Sequence, residues 1–372
     1  MKNNRTFLEK LLDGAEVEWK PLDEVANIAN NARKPVKSSL RISGNIPYYG
    51  ANNIQDYVEG YTHDGEFVLI AEDGSASLEN YSIQWAVGKF WANNHVHVVN
   101  GKEKLNNRFL YHYLTNMNFI PFLAGKERAK LTKAKLQQIP IPIPPLSVQT
   151  EIVKILDALT ALTSELTSEL TSELILRQKQ YEYYREKLLS FDSLEQLNSG
   201  GGKKKLIDVA KIKNGKDWKH LGEGNIPIYG SGGIMGYVDT YSYDKPTVLI
   251  PRKGTITNIF YLEEPFWNVD TIYYTEINTT QILPKYFFHF MKTVDLAKLD
   301  TGSGRPSLTQ AILNEIPIFV PPLEQQQRIV SILDKFETLT NSITEGLPLA
   351  IEQSQKRYEY YRELLLNFPG RE

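Results

Sequence analysis

His112 and His289 are the first side chains to weigh as chemistry. They stand 177 residues apart, one between Tyr111 and Tyr113, the other between Phe288 and Phe290. Imidazole suits proton transfer near neutral pH, yet a histidine inside an aromatic helix serves more often as a hydrogen-bonded core residue. His95 and His97 have the alternate spacing that puts two zinc ligands on one strand face. Nothing answers them in the second half, so they read as ordinary strand histidines. The chain has no cysteine, which rules out disulfides, zinc–thiolate sites, iron–sulfur clusters and cysteine nucleophiles. No Asn/Asp-Pro-Pro-Tyr/Phe motif of an amino-methyltransferase occurs, and no phosphate-cradling G-x-x-x-x-G-K-[ST] loop. Glu18-Trp19-Lys20 lacks the upstream aspartate of a nuclease metal site. The sequence holds no catalytic constellation, and no cofactor is expected on it.

Binding is the better reading of its charges. Arg33, Lys34, Lys37 and Arg41 precede Gly44-Asn45-Ile46-Pro47, and Lys126, Arg128, Lys130, Lys133 and Lys135 precede a proline-rich stretch. The second half has Lys203 to Lys205, then Lys211, Lys213, Lys216 and Lys219, then Arg252 and Lys253, then Arg305. Such groups suit phosphate oxygens. Asn30, Asn31, Asn52, Asn53, Asn93 and Asn94, with Asn214 and Asn258, carry the amide geometry that pairs with adenine edges. Taken singly, lysines belong on any surface and asparagines in any turn. As clusters present in both halves they read as a nucleic-acid surface. Where the second half has Pro251-Arg252-Lys253-Gly254, the first has Ala71-Glu72-Asp73-Gly74. A preserved frame with inverted loop charge is what two readers of different base sequences would show, although loop divergence without function looks the same.

These residues sit on a chain written twice. Gly44 to Gly50 returns as Gly224 to Gly230, and Val68-Leu69-Ile70 as Val248-Leu249-Ile250. Gly125, Arg128, Leu131 and Thr132 match Gly302, Arg305, Leu308 and Thr309, and Ile155-Leu156-Asp157 matches Ile332-Leu333-Asp334. Tyr181 to Glu186 recurs unchanged as Tyr358 to Glu363. Glu9 to Leu12 repeats as Glu186 to Leu189, so the repeat is circularly permuted relative to the termini. The net charge of −2 hides the same alternation: +3 over residues 20–146, −4 over 147–199, +2 over 200–323 and −2 over 324–372.

Each half reads as a β-rich globular part followed by a long helix, an α+β architecture with a pseudo-two-fold internal repeat. Short apolar runs such as Phe67 to Ile70 and Val96 to Val99 are cut by Gly, Asn and Asp turns. Amphipathic helices are expected near Arg108 to Asn116 and Lys285 to Lys292. Pro140 to Pro145 and Pro317 to Pro322 read as semi-rigid hinges. Beyond them, Ile152, Ile155, Leu159 and Leu162 keep a heptad seam that continues through Leu166, Leu170 and Leu174 of three TSEL repeats, where steps of four make it drift. In the second half Ile329, Ile332, Phe336, Leu339 and Ile343 hold a seam until Gly346 and Pro348, where a kink or break is expected. The two helices should pack on each other as an antiparallel coiled coil, with Leu162, Leu166, Leu170, Leu174, Tyr181, Tyr184, Tyr358 and Tyr361 as the docking and spacer residues. The resulting divisions are an N-terminal segment 1–19 that completes the repeat, globular parts 20–146 and 199–323, and helices 147–198 and 324–372. No span reaches the roughly 20 apolar residues of a membrane helix. Met1 to Leu12 shows no apolar signal region, so the cytoplasm is the expected compartment.

The doubled proline exits Ile139-Pro140-Ile141 to Pro144-Pro145-Leu146 and Ile316-Pro317-Ile318 to Pro321-Pro322-Leu323 lead into helices bearing Gln149 and Gln325 to Gln327. With the doubled YEYYRE and the TSEL repeats, the chain resembles the specificity subunit of type I restriction–modification enzymes over nearly its whole length. The repeats resemble the spacer of the subgroup in which helix length sets target spacing. The resemblance implies two target recognition domains, each reading one half of a split site on double-stranded DNA. It also implies helices that dock two DNA adenine methyltransferase subunits, with a restriction/translocase subunit able to join. S-adenosylmethionine, ATP and Mg would then belong to those partners, and this chain would be non-catalytic. The residues add a ruler: one tetrapeptide contributes about 6 Å of helix rise, or ~1.8 base pairs. A structural coiled-coil adaptor with protein-binding heads is the alternative, distinguished by salt-insensitive or absent DNA binding.

Overall fold

The computed structural model describes residues 6–125, 129–196, 201–302, 304–342 and 345–369. The chain divides into two compact units, Met1–Ser168 with Glu352–Glu372, and Glu169–Ile351.

The first unit is built on a six-stranded sheet in the order Ala26–Ile28, Val96–Gly101, His63–Ala71, Ile83–Ala92, Ser43–Tyr49, Ile54–Val58. All neighbours are antiparallel except Ser43–Tyr49 against Ile83–Ala92. Val68, Leu69 and Ile70 are fully buried because both faces of their strand are covered. Val68 and Ile70 join the main core with Phe109, Leu110 and Leu114 of the helix Asn107–Thr115. Leu69 turns to a second cluster with Ala86 and Phe90. Residues near both chain ends complete the main core: Leu8 and Leu12 from one, Leu365, Leu366 and Phe368 from the other. Trp19 Nε1 donates to the Pro369 carbonyl at 3.1 Å.

The second unit repeats the plan with one strand broken. Val248 and Ile250 of Thr247–Pro251 enter a core with Tyr286, Phe287 and Met291 of the helix Pro284–Met291, while Leu249 faces Phe266 and Ile272. The long strand Ile83–Ala92 of the first unit is matched by two pieces, Phe260–Leu262 and Trp267–Asn268. Pro265 lies between them, and a proline cannot donate to a ladder. The sheet is accordingly split into four- and three-stranded parts.

Two expectations need correction, and the break expected at Gly346 and Pro348 is present. The proline exits are strands, not hinges: Pro140–Ile143 pairs antiparallel with Glu18–Pro21, and Pro317–Val320 with Gly202–Lys205. A two-stranded ladder leaves each strand an outer edge where a missing N–H is harmless, while Ile141 and Ile318 are fully buried. As expected, the second long helix breaks at Gly346, into Leu323–Asn341 and Leu347–Leu366. Gly346 has φ +89, and a Cβ there would lie 2.7 Å from the Thr338 carbonyl oxygen. Ile343 lies outside the described residues.

The second correction concerns the seam. Leu146–Leu189 is one helix of 44 residues, about 66 Å long at 1.5 Å per residue. It buries Gln149, Ile152 and Leu156, whereas Leu162 is 61% exposed, Leu166 is exposed and Leu170 and Leu174 are half-buried. In the second half Gln326, Ile329, Val330 and Leu333 are buried and Ile332 is 43% exposed. The buried face of each helix packs on the globular part it leaves and shares a core with the other long helix: Ile152 and Leu156 with Leu365 and Leu366 in the first unit, Tyr181 and Leu189 with Ile329 and Leu333 in the second. Polar and aromatic contacts between the long helices add to these. Thr160 Oγ1 donates to the Tyr358 hydroxyl at 3.0 Å in the first unit. Tyr181 and Tyr184 lie against Phe336 in the second, with ring centroids 6.5 and 5.6 Å apart. Tyr361 is exposed.

Candidate nucleic-acid interface

The first unit holds several of its predicted cations for itself. Arg33 Nη1 lies 2.7 Å from Glu72 Oε2 and donates to the Asn94 and Val96 carbonyls. Lys130 Nζ reaches the other Glu72 oxygen at 2.9 Å. Burial works against the Glu72 carboxylate, but Arg33 and Lys130 outweigh it and hold its pKa below the usual value. Arg41 donates to the Val36 carbonyl, approaches Asp56 at 3.4 Å and stacks 4.1 Å from the Tyr48 ring centroid. Lys34, Lys37 and Lys133 are exposed, and none makes an ion pair among the described residues. Lys126 and Arg128 lie outside the described residues.

The second unit builds the same corner with the opposite charge. Asp73 bridges Lys130 in the first unit and Lys253 bridges Ser307 in the second. The Leu131 amide donates to the Glu72 carbonyl, and the Leu308 amide to the Arg252 carbonyl, both at 2.8 Å. Arg252 and Lys253 therefore stand where the first unit has Glu72 and Asp73, with Arg305 two residues before Ser307, the bridge partner of Lys253. Among the described residues, the Arg252 side chain meets the Asp270 carbonyl at 3.4 Å and the Tyr273 ring at 5.9 Å, with no ion pair. Lys253 and Arg305 are exposed. Lys213 is 3.5 Å from Glu276, and Lys211, Lys216 and Lys219 are exposed.

The asparagines divide in the same way. Asn30 lies against buried His97 and accepts from the Val98 amide, Asn52 ties Gly74 to Ala76, and Asn93 accepts from the His95 amide. Asn258 donates to the Ser231 carbonyl. Asn31, Asn53, Asn94 and Asn214 are exposed. His97 is a buried structural residue that also reaches the Leu131 carbonyl at 2.7 Å.

Behind these loops lies a constant frame. Gln149 accepts from the Asn106 amide and donates to the Lys104 and Pro144 carbonyls. Gln326 accepts from the Leu283 amide and donates to the Gln281 and Pro321 carbonyls. Asp157 receives Arg108 and His112, and Asp334 receives Lys285 and His289. Sequence reasoning did not assign these roles, although the 177-residue shift of Gln149 and Asp157 was the signal. His289, Asp334 and Glu337 place three ligand atoms within 4.8 Å of one another. Lys285 and Lys292 already sit 2.8 Å from Asp334 and 3.8 Å from Glu337, and Thr160 stands at Glu337's place in the repeat. The cluster is a salt-bridge frame, not a metal centre. No helix is long and apolar enough to cross a membrane among the described residues.

A family model described as the type I restriction modification DNA specificity domain matches residues 15–175 and again 198–353. A putative type I restriction enzyme specificity subunit of Haemophilus influenzae is 68% identical, covering 99% of this chain and 100% of the relative. The EcoR124I/EcoR124II specificity subunit of Escherichia coli is 32% identical over 98% of this chain and 97% of its own. Among solved structures, the S subunit of a type I system from M. genitalium aligns with 100% of this chain and 99% of its own, at TM-score 0.53 and 20% identity. The HsdS subunit of Thermoanaerobacter tengcongensis aligns with 95% and 96%, at TM-score 0.56 and 15% identity; at such identities the likeness is one of fold. Two domain matches on two copies of one frame, with relatives alike from end to end, make this chain a member of the type I restriction–modification specificity subunit family.

Proposed function

We propose that this chain supplies the DNA address of a type I restriction–modification complex and performs no chemistry itself. Residues 20–146 and 199–323 act as target recognition domains, each reading one half of a split site on double-stranded DNA. Residues 147–198 and 324–372 dock two DNA adenine methyltransferase subunits, with 1–19 completing the repeat. A restriction/translocase subunit joins the same complex. S-adenosylmethionine, ATP and Mg belong to those partners, and the compartment is the cytoplasm. Lys34, Lys37, Lys133, Lys211, Lys216, Lys219, Arg252, Lys253 and Arg305 are the backbone-contacting cations. Acidic helices repel DNA and suit protein docking.

The observation that supports this reading is the contrast between frame and loops. Gln149 and Gln326 make the same three hydrogen bonds, and His112–Asp157 and His289–Asp334 the same contact. The corner between those elements changes from Glu72 and Asp73 to Arg252 and Lys253. A chain that keeps its frame and varies one corner is built to present two different readouts in one setting. Methylome sequencing of cells carrying this chain with its methyltransferase tests the proposal. A bipartite motif with one methylated adenine in each half is expected. An uninterrupted motif, or methylation by the purified chain alone, overturns it. DNA affinity that ignores salt would favour the adaptor.

A further inference from the structure

Leu40 and Ile42 are 70% and 66% exposed, the most exposed large apolar side chains among the described residues. They are held there by a stiff loop. The Val36 amide donates to the Tyr48 hydroxyl at 3.0 Å, and Arg41 Nε returns to the Val36 carbonyl at 3.1 Å. Trp91 Nε1 donates to the Lys34 carbonyl at 2.6 Å, and the Glu59 amide to the Ile42 carbonyl at 2.9 Å. Between the two side chains and the Tyr48, Val58 and Trp91 side chains lies a cavity of about 280 Å³.

The second unit closes the same place. Trp267 Nε1 donates to the Lys216 carbonyl at 3.2 Å and the Asp239 amide to the Gly222 carbonyl at 3.1 Å, bracketing the equivalent loop. Inside those brackets Trp218 and Leu221 pack onto Ile228, Val238 and Trp267. The apolar lip is thus particular to one recognition domain.

Its surroundings say what it meets. Lys34 and Lys37 flank it, exposed and without ion pairs among the described residues, while Glu59 is the anion on its wall. The loop grows from the Arg33 corner, where the Lys34 amide donates to the Ala92 carbonyl beside Asn93 and Asn94. An apolar surface between free cations, continuous with that corner, fits a duplex whose base edges carry methyl groups. Resting on the DNA-reading function above, we propose that Leu40 and Ile42 read thymine 5-methyl groups in the major groove, with Lys34 and Lys37 on the adjacent phosphates. This lip makes one half-site methyl-sensitive and leaves the other indifferent.

The test uses the complex of this chain with its methyltransferase and duplexes in which each thymine of the recognised sequence is replaced singly by deoxyuridine. The wild type should lose affinity about fourfold per removed methyl, the factor that burying one methyl represents, at positions confined to one half-site. The Leu40→Ala, Ile42→Ala double variant should bind the thymine duplex correspondingly less well and lose nothing more on deoxyuridine, with an unchanged unfolding midpoint. Specific, salt-dependent binding that ignores every deoxyuridine overturns this inference while leaving DNA reading intact. So does a deoxyuridine penalty that survives in the variant, or a variant that binds DNA normally but fails to assemble with the methyltransferase, which would assign the lip to a protein. Absence of any site-specific binding by the wild type instead removes the reading beneath it.

Discussion

His112 Nε2 donates to Asp157 Oδ1 across 2.8 Å, and His289 makes the same bond to Asp334 across 3.0 Å. Each bond ties an aromatic helix of a recognition domain to the helix that leaves it. Burial pushes both imidazoles below their ordinary pKa, and the aspartate opposes this without overcoming it. A histidine depressed in the folded state binds its proton more readily when unfolded. Its contribution is therefore complete above the unfolded value of about 6.5 and is lost as pH falls through the lower folded value. The unfolding temperature is expected to drop between about pH 7 and 5.5. His112→Gln with His289→Gln should flatten that dependence without abolishing it, because buried His63 and His97 are lowered too. Thermal unfolding at stepped pH measures both slopes.

Gln149 and Gln326 each satisfy three backbone groups from a buried position. Replacing either with alanine orphans one amide and two carbonyls, at a cost on the order of 3 kcal/mol. Urea unfolding should show that loss, and the methylated motif should stay the same. A stability within a few tenths of wild type would mean that water replaces the amide.

Salt dependence separates gripping cations from structural ones. Lys253→Ala and Arg305→Ala should each reduce the slope of log affinity against log salt by ~0.9, with little change in stability. Arg33→Ala should leave the slope alone and lower the unfolding midpoint, since it strips Glu72 of its closest partner. Titrations of the assembled complex at several salt concentrations decide between the two patterns.

Thr163 to Leu174 lies wholly within the helix Leu146–Leu189. Deleting Thr171 to Leu174 removes about 6 Å of rise, or ~1.8 base pairs. The methylome of cells bearing the deletion should show both half-sites intact and a shorter gap. Altered half-sites with the old gap would refute the ruler.

The sequence made the duplication, the apolar strands and the aromatic helices legible, because those rest on local pattern and on matches between halves. Pro140–Ile143 and Pro317–Val320 were misread because proline lacks an N–H. That argues against a strand only where both edges are paired, and pairing is not local information. The seam at Ile332 was misread for a similar reason. Heptad spacing assumes another helix alone as the burying surface, while Leu333 is buried jointly by Tyr181 and Leu189 of the other long helix and by the globular core. In the interface, cation clusters were visible as clusters. Glu72 sits 39 residues from Arg33 and 58 from Lys130, so only folding shows that it neutralises them. Leu40 and Ile42 went unnoticed, since exposure of an aliphatic leaves no mark in a sequence.

The ladders Glu18–Pro21 with Pro140–Ile143 and Gly202–Lys205 with Pro317–Val320 bring the two ends of each recognition domain together. Everything between the two strands of a ladder starts and finishes at one doorway, so its two ends stay fixed whatever lies between them. The strand–helix junctions that follow are nearly the same text in both copies, Pro144-Pro145-Leu146 and Pro321-Pro322-Leu323. An insert of different sequence that closes on the same ladder would meet the same frame, its helix junction included.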